Sequence, residues 1–155
     1  MYFVSCEDDI KLKALLSLGF LCLGHPDFLM RENIIQLYRR ILTERTCDVR
    51  QKVQVLRNVE NFLKEDESKM VQGYECWEKT KDDANLKEMG ETLSGLSSSV
   101  IQCYIREVLE CYFHEHAAVR SVVSEVVSLT MQQGLIHPVQ VVHFCFLLLL
   151  SVAPY

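Results

Sequence analysis

Apolar residues along most of the chain recur every three or four positions, the spacing of one face of an α-helix. No alternating strand pattern stands out, so the predicted fold class is all-α. The predicted helices cover about residues 10–23, 29–43, 49–63, 98–113 and 118–133. We expect Gly24 and Gly134 to end two of these helices in the left-handed conformation. His137-Pro138 is expected to open a further apolar helix.

Residues 65–97 depart from this regular pattern. The stretch from Glu60 to Glu91 carries ten acidic and five basic side chains, and Gly73, Gly90 and the nearby Gly95 interrupt the region. We interpret the region as an acidic, partly mobile insertion, in which Trp77 is a candidate anchor for a basic partner surface. A solvated loop is the alternative. The segment Ser94–Ser99 predicts a turn that ends in a helix N-cap.

Two helices share a pattern 70 residues apart. The pattern is Val49-Arg50, Val53, Leu56 and Val59, then Val119-Arg120, Val123, Val126 and Leu129. A looser match lies 39 residues before the first set, at Ile10-Lys11, Ala14 and Phe20. That spacing is close to the roughly 40–47 residues of HEAT and armadillo repeats, and an offset of 70 is one repeat plus the insertion.

These repeats predict a HEAT-repeat α-solenoid segment, in which each helix hairpin buries its apolar face against neighbouring hairpins. We expect one segment made of first helices (10–64), the insertion (65–97) and a second repeat with an unpaired apolar terminal helix (98–152). Each Val-Arg arginine is expected to line the turn within its hairpin and to bond carbonyls or a nearby carboxylate such as Glu44 or Asp48.

Both ends of the chain are expected to present apolar surface. The chain starts in the second helix of one pair and stops in the first helix of another, and Phe144–Leu150 lacks the polar character of a capping repeat. Each uncovered Leu, Ile or Phe forfeits roughly 1.5–3 kcal/mol of burial. We therefore expect the chain to be a piece of a longer solenoid, covered by neighbouring HEAT repeats.

Charge and hydropathy narrow the classes of function. The 155 residues include 16 basic and 21 acidic side chains, so wholesale coating of nucleic acid is disfavoured while a local basic patch remains open. Acidic residues near the N-terminus do not fit a secretion signal. The longest apolar run, Val139–Val152, is shorter than the roughly 20 residues of a spanning helix. We expect an intracellular, soluble chain with no membrane partner.

The seven cysteines are expected to be small buried hydrophobes in a reducing compartment. Cys22-x-x-His25 and Cys111-x-x-His114-x-His116 could supply zinc ligands, but structural zinc sites favour tight cysteine pairs. No group is recognisable that would orient a Cys/His nucleophilic pair, and no glycine-rich phosphate loop is present. We predict no metal, cofactor or catalytic residue. A thiol hydrolase using Cys22 or Cys111 is the alternative from the enzyme class.

The strongest charged feature is a set of six basic residues interrupted by only two acidic ones. The six are Arg39, Arg40, Arg45, Arg50, Lys52 and Arg57. Guanidinium groups along one edge of a solenoid suit DNA phosphates or an acidic protein surface, so these six are candidate contacts to a partner or DNA. The alternative is an ordinary solvated face with Arg50 paired internally.

Four stretches carry a resemblance to a known family. They are LKALLSLGFLCLGHPDFLM (12–30), VQVLRNVENFLKEDE (53–67), LKEMGETLSGLSSSVIQCYIREVLECYF (86–113) and LTMQQGLIHPVQ (129–140). Together they resemble the later, C-terminal HEAT repeats of the Nipped-B-like sister-chromatid cohesion loaders. The resemblance covers about residues 12–140, and the sequence departs from the family after Gln140.

The resemblance implies a non-enzymatic scaffold in the nucleus. Loaders of this family grip the ring-shaped cohesin complex, contact DNA and promote the cohesin ATPase during DNA entry. The ATPase belongs to cohesin. The resemblance therefore implies cohesin subunits as partners and leaves DNA contact through a local basic patch open. A generic HEAT-repeat adaptor of another pathway is the runner-up.

Overall fold

A computed structural model describes the backbone of residues 2–80, 84–137, 139 and 141–142, and the side chains of 7–72, 95–137, 139 and 141–142. In this part of the chain, five α-helices are present and no strand. They are α1 (Tyr2–Gly24), α2 (Glu32–Thr43), α3 (Val49–Thr80), α4 (Ala84–Glu110) and α5 (Ala117–Gln132). A 3-10 turn at Pro26–Met30 precedes α2, and another at Cys111–Phe113 follows α4. The all-α prediction is confirmed.

The helices lie in two rows. Helix α3 packs against both α1 and α5, and these three form what we call the inner row. Helices α2 and α4 pack against each other and form the outer row. Each outer helix makes a hairpin with the inner helix that follows it, and the two hairpins stack. This is the layering of a HEAT-like α-solenoid.

A single core runs between the two rows. Tyr38 of α2 and Tyr104 of α4 are both fully buried, with ring centroids 5.8 Å apart. The Tyr104 hydroxyl donates a hydrogen bond to the carbonyl of Leu29, so the 3-10 turn before α2 is tied to α4. From the inner row, Leu56 and Val126 are also fully buried. Each such aliphatic side chain contributes roughly 1.5–3 kcal/mol through burial.

Helices α1 and α3 meet at a glycine. A Cβ on Gly19 would lie 2.2 Å from Oδ1 of Asn58, which is closer than atoms can approach. The Nδ2 group of Asn58 donates to the carbonyl of Leu15 and to the hydroxyl of Tyr38, both at 2.9 Å. Asn58 therefore joins α1, α2 and α3 and leaves no room for a side chain at position 19.

The predicted helix end at Leu63 and the predicted turn at Ser94–Ser99 are wrong. Helix α3 continues to Thr80, and α4 runs through Gly95. The reason is tertiary: Asp66 is buried and accepts a hydrogen bond from the fully buried Ser97 hydroxyl, which ties α3 to α4. Such contacts outweigh the helix penalty of about 1 kcal/mol for a glycine. The assignment of 65–97 as a separate insertion stays a prediction.

The two glycine predictions have different outcomes. Gly134 has φ = 67°, and its N–H bonds the carbonyl of Met131, so its left-handed closing role is confirmed. Gly24 does not have a positive φ and lies inside the last turn of α1. His25 is the residue that leaves the helical region, because the residue before a proline is pushed out of it, and α1 therefore ends at Gly24. Pro138 and most of the run that follows lie outside the described residues.

The looser match between α1 and α3, made at an offset of 39 residues, is one residue out of register with the buried positions of the two helices. Ile10 and Phe20, which it aligned with Val49 and Val59, are exposed. The buried positions of α1 repeat those of α3 at an offset of 40 residues. These positions are Leu15, Gly19 and Cys22 in α1, and Val55, Val59 and Phe62 in α3. The 70-residue match holds, since Leu56 and Val126 are both buried.

Candidate interaction surface

Arg50 closes the turn between α2 and α3. Its Nε donates to Oδ2 of Asp48 at 2.9 Å, and its Nη1 donates to Oδ1 of Asp9 on α1, also at 2.9 Å. Partial burial alone would raise the pKa of Asp48, but hydrogen bonds and charge attraction from Arg50 outweigh it and lower that pKa. The predicted internal pairing of Arg50 is confirmed, with Asp48 rather than Glu44 as the carboxylate.

Arg120 occupies the matching place in the second hairpin. Its Nη1 donates to the carbonyls of His114 and Glu115, each at 2.7 Å. The predicted role of the Val-Arg arginine in lining the turn is therefore confirmed in both hairpins. Here the acceptors are backbone carbonyls rather than carboxylates.

Arg39 holds the two outer helices together. Its Nε and Nη2 both donate to the carbonyl of Cys103 on α4, at 3.0 and 2.7 Å. The same guanidinium lies 3.3 Å from a carboxylate oxygen of Glu107, the other oxygen of which is buried without a hydrogen-bond partner. These contacts engage Nε and Nη2, two of the three guanidinium nitrogens, within the chain.

Lys52 is not available to a partner, which contradicts its place among the candidate contacts. Only 2% of it is exposed, and its ammonium donates to the carbonyl of Leu42 at 2.7 Å. The signal for this burial is in the sequence, because Lys52 falls between Val49 and Leu56 on one apolar stripe of α3. The methylene stem is buried there while the charged end meets the last carbonyls of α2.

Arg57 is half exposed and lies beside a buried carboxylate. Glu60, only 1% exposed, accepts from Lys64 and lies 3.5 Å from the Arg57 guanidinium. Two surface cations therefore compensate one buried anion, as a buried charge requires.

Arg40 and Arg45 lie at the end of α2 and make no hydrogen bond or ion pair with another described helix. The Arg40 side chain is 78% exposed and makes only an i,i+4 ion pair with Glu44, at 3.3 Å. Pairs of this kind contribute little, about 0.3–0.5 kcal/mol. Arg45 is exposed in the turn after α2 and makes no hydrogen bond or ion pair with any described residue. Burial removes only Lys52 from the six candidate contacts, and Arg40 and Arg45 form a small patch at the end of α2.

The thiols Cys22 and Cys111 are both buried. Burial raises the pKa of Cys22, and it raises the pKa of Cys111 to about 11. Reactive cysteines need a lowered pKa and access to solvent, so neither environment suits a nucleophile. Among the described residues, no group of three His, Cys, Asp or Glu side chains is arranged to hold a metal ion.

The structure describes only part of the residues on which the expectations for Trp77 and for a membrane partner depend. The side chain of Trp77 lies outside the described residues, although its backbone belongs to α3. In the portion that the structure describes, no helix is both long enough and apolar enough to cross a bilayer.

The stacked hairpins define the chain as a HEAT-type α-solenoid segment, and sequence comparison gives its family. Residues 97–154 match the family described as "Sister chromatid cohesion C-terminus". The chain is 40% identical over 145 residues to the Nipped-B-like protein of Homo sapiens, covering 93% of this chain and 5% of that protein. It is 35% identical over 145 residues to the Nipped-B protein of Drosophila melanogaster, covering 93% of this chain and 7% of that one.

A nematode relative is similar to the chain as well and bears the same family name. The chain is 37% identical over 131 residues to a Nipped-B-like protein of Caenorhabditis elegans, covering 83% of this chain and 6% of that protein. The chain therefore belongs to the Nipped-B-like family of sister-chromatid cohesion proteins, as a segment related to its C-terminal repeats. It spans about one twentieth of the length of the relatives that it matches.

Proposed function

We propose that this chain is a non-catalytic scaffold segment of a nuclear cohesin loader, which binds cohesin subunits and contacts DNA through a local basic patch. The family membership and the stack of helix hairpins support the scaffold role. The exposure of Arg40 and Arg45 is the observation that supports contact with cohesin subunits or DNA at this patch. Arg45 has no hydrogen bond or ion pair with a described residue, and Arg40 has only the i,i+4 pair with Glu44.

Charge reversal at this patch tests the proposal. Arg40→Glu with Arg45→Glu should weaken binding of the chain to purified cohesin subunits or to duplex DNA about tenfold, because two favourable charge contacts become repulsive. Far-ultraviolet circular dichroism should show unchanged helix content, since neither side chain is buried.

A matched control is available on the other outer helix. Arg106 is 82% exposed and pairs with Glu110 at i,i+4, as Arg40 pairs with Glu44. Arg106→Glu with Lys69→Glu changes the net charge equally and should leave binding within about twofold of wild type. Equal losses in the two double variants would mean that only overall charge matters, and the patch would be rejected.

The runner-up is a HEAT adaptor of another pathway. Affinity capture with the whole chain from nuclear extract separates the two. Cohesin subunits and chromatin should be enriched, and they should be depleted in the Arg40→Glu, Arg45→Glu variant. Capture of an unrelated complex in place of cohesin would favour the adaptor.

The enzyme alternative is tested by thiol labelling. At about pH 8, a thiol with a pKa near 11 is ionised in roughly one molecule in a thousand, so native Cys111 should react at least about a hundredfold more slowly than after unfolding. Mass spectrometry of the labelled peptides gives the rates. Fast native labelling of Cys22 or Cys111 would restore the thiol-enzyme hypothesis.

A further inference from the structure

A histidine side chain fixes the turn between α4 and α5. Nδ1 of His114 accepts a hydrogen bond from the backbone N–H of His116, at 3.2 Å. His116 is the N-cap residue of α5, and its own side chain caps no backbone group. The His114 imidazole therefore supplies an acceptor for an N–H at the start of α5 that has no partner within the helix.

The same contact, from a side chain to the N–H two residues later, occurs in two other turns. Nδ1 of His137 accepts from the N–H of Val139 at 3.2 Å, and Oδ1 of Asp48 accepts from the N–H of Arg50 at 2.9 Å. The contact is thus a repeated feature of the fold, but its chemistry differs. A carboxylate is an acceptor at neutral and mildly acidic pH, whereas a protonated imidazole is a donor at both nitrogens.

The surroundings of His114 disfavour its protonated form. Partial burial lowers its pKa, and so do the charges of Lys52 on α3, His116 in the turn and Arg120 on α5, while the adjacent Glu115 carboxylate opposes them. Arg120 is held in place, because its Nη1 donates to the His114 carbonyl at 2.7 Å. Since the folded pKa lies below the unfolded value of about 6.5, the stability that His114 contributes is complete above that value and is lost as pH falls below it.

We propose that the turn between α4 and α5 is a pH-sensitive switch, which holds the start of α5 while His114 is neutral and releases it when the imidazole takes up a proton from solvent. The proton occupies Nδ1, so the N–H of His116 loses its acceptor. The new charge lies close to Lys52 and Arg120 and at the positive end of the α5 dipole, where a cation is unfavourable. At the same pH the Asp48 carboxylate still holds the first hairpin. The inference goes beyond the proposed function, since it requires neither cohesin nor DNA.

Urea denaturation of the whole chain at about pH 7.5 and 5.5 tests the switch, with His114→Asn as the main variant. The amide oxygen of asparagine can accept from the N–H two residues later, and it does not titrate. With an unfolded pKa of about 6.5, one such histidine can raise the unfolding equilibrium constant at about pH 5.5 by no more than about tenfold. We expect the acid-induced rise to be about threefold or more larger in wild type than in His114→Asn.

Two measurements locate the effect within the chain. In wild type, an NMR titration should show the amide resonance of His116 shifting with the same midpoint as the imidazole resonances of His114. Hydrogen exchange, corrected for its intrinsic pH dependence, should become faster in acid for residues 111–122 and stay unchanged for residues 44–55. Different NMR midpoints, or equal acceleration of exchange in both segments, would overturn the proposal without recourse to any variant.

His25→Asn is the matched control. His25 is exposed in the turn after α1, and its side chain caps no backbone group. Its replacement should therefore leave the acid-induced rise of the unfolding constant within about twofold of wild type. An acid-induced rise in His114→Asn as large as in wild type would refute the switch, and so would an equally reduced rise in His114→Asn and His25→Asn.

Discussion

The two hairpins place an arginine at the same position and use it differently. Arg50 in the first hairpin binds the carboxylates of Asp48 and Asp9, whereas Arg120 in the second binds the carbonyls of His114 and Glu115. In both, the guanidinium holds the turn against the inner helix. The repeat thus keeps a donor at the start of each inner helix, while the local turn determines which group accepts.

A second pair of matched positions differs more. Lys52 and Val122 are 70 residues apart, and both are buried. The first hairpin needs the lysine because the carbonyl of Leu42, at the end of α2, requires a donor. In the second hairpin α4 passes into the 3-10 turn Cys111–Phe113, and the N–H of His114 bonds the carbonyl of Cys111. There an apolar side chain is sufficient.

We expect the largest loss of stability when lysine replaces Val122, which is the counterpart of Lys52 in the second hairpin. Val122→Lys should lower the free energy of unfolding by about 3–5 kcal/mol, because it buries a charge that has no partner. Urea denaturation followed by circular dichroism measures it. Ser121→Lys, at an exposed neighbouring position, should change stability by less than about 0.5 kcal/mol. Similar losses in both variants would show that the two hairpins do not differ in this way.

The reverse change should have a smaller effect. Lys52→Met keeps the buried stem but removes the donor to Leu42, whose remaining contact is the weak one from the thiol of Cys111 at 3.7 Å. Leaving a buried carbonyl poorly satisfied costs about 1–3 kcal/mol, and relief of the lysine's desolvation offsets part of that. We expect a net loss of about 1 kcal/mol in urea denaturation. Lys69→Met, on the exposed part of α3, is the control. A variant more stable than wild type would refute the capping role of Lys52.

The smallest expected effect is a difference in pH dependence. The pKa of Asp48 is lowered in the folded state, so its contribution to stability is present above the unfolded pKa of about 3.9 and is lost as pH falls through the folded value. Arg50→Gln should therefore lower the thermal midpoint more at about pH 5 than at about pH 3, because protonation of Asp48 in acid removes part of the contribution.

Arg120→Gln is the comparison variant for that experiment. The acceptors of Arg120 are carbonyls, which do not titrate, so its loss should lower the thermal midpoint similarly at both pH values. The same loss of effect in acid for both variants would show that the choice of acceptor is irrelevant.

Much of the fold could be predicted from sequence because apolar periodicity and the Val-Arg repeat report directly on which face of a helix is buried. The length of α3 could not, since its acidic composition and Gly73 favour a loop, and the contact between Asp66 and Ser97 that opposes them joins residues far apart in sequence. The same limit applies to the basic cluster. Nothing near Arg39 in sequence reveals that it binds the carbonyl of Cys103, 64 residues away.

Gly19 and Asn58 have an evolutionary consequence. The amide that fills the space beside Gly19 also bonds Leu15 and Tyr38, so neither residue can be replaced freely while the other stays. A lineage that acquires alanine at position 19 must shorten the residue at 58 and then find another partner for the tyrosine hydroxyl. These two positions should consequently vary together among homologous chains, at a separation of 39 residues that a comparison of neighbouring positions would overlook.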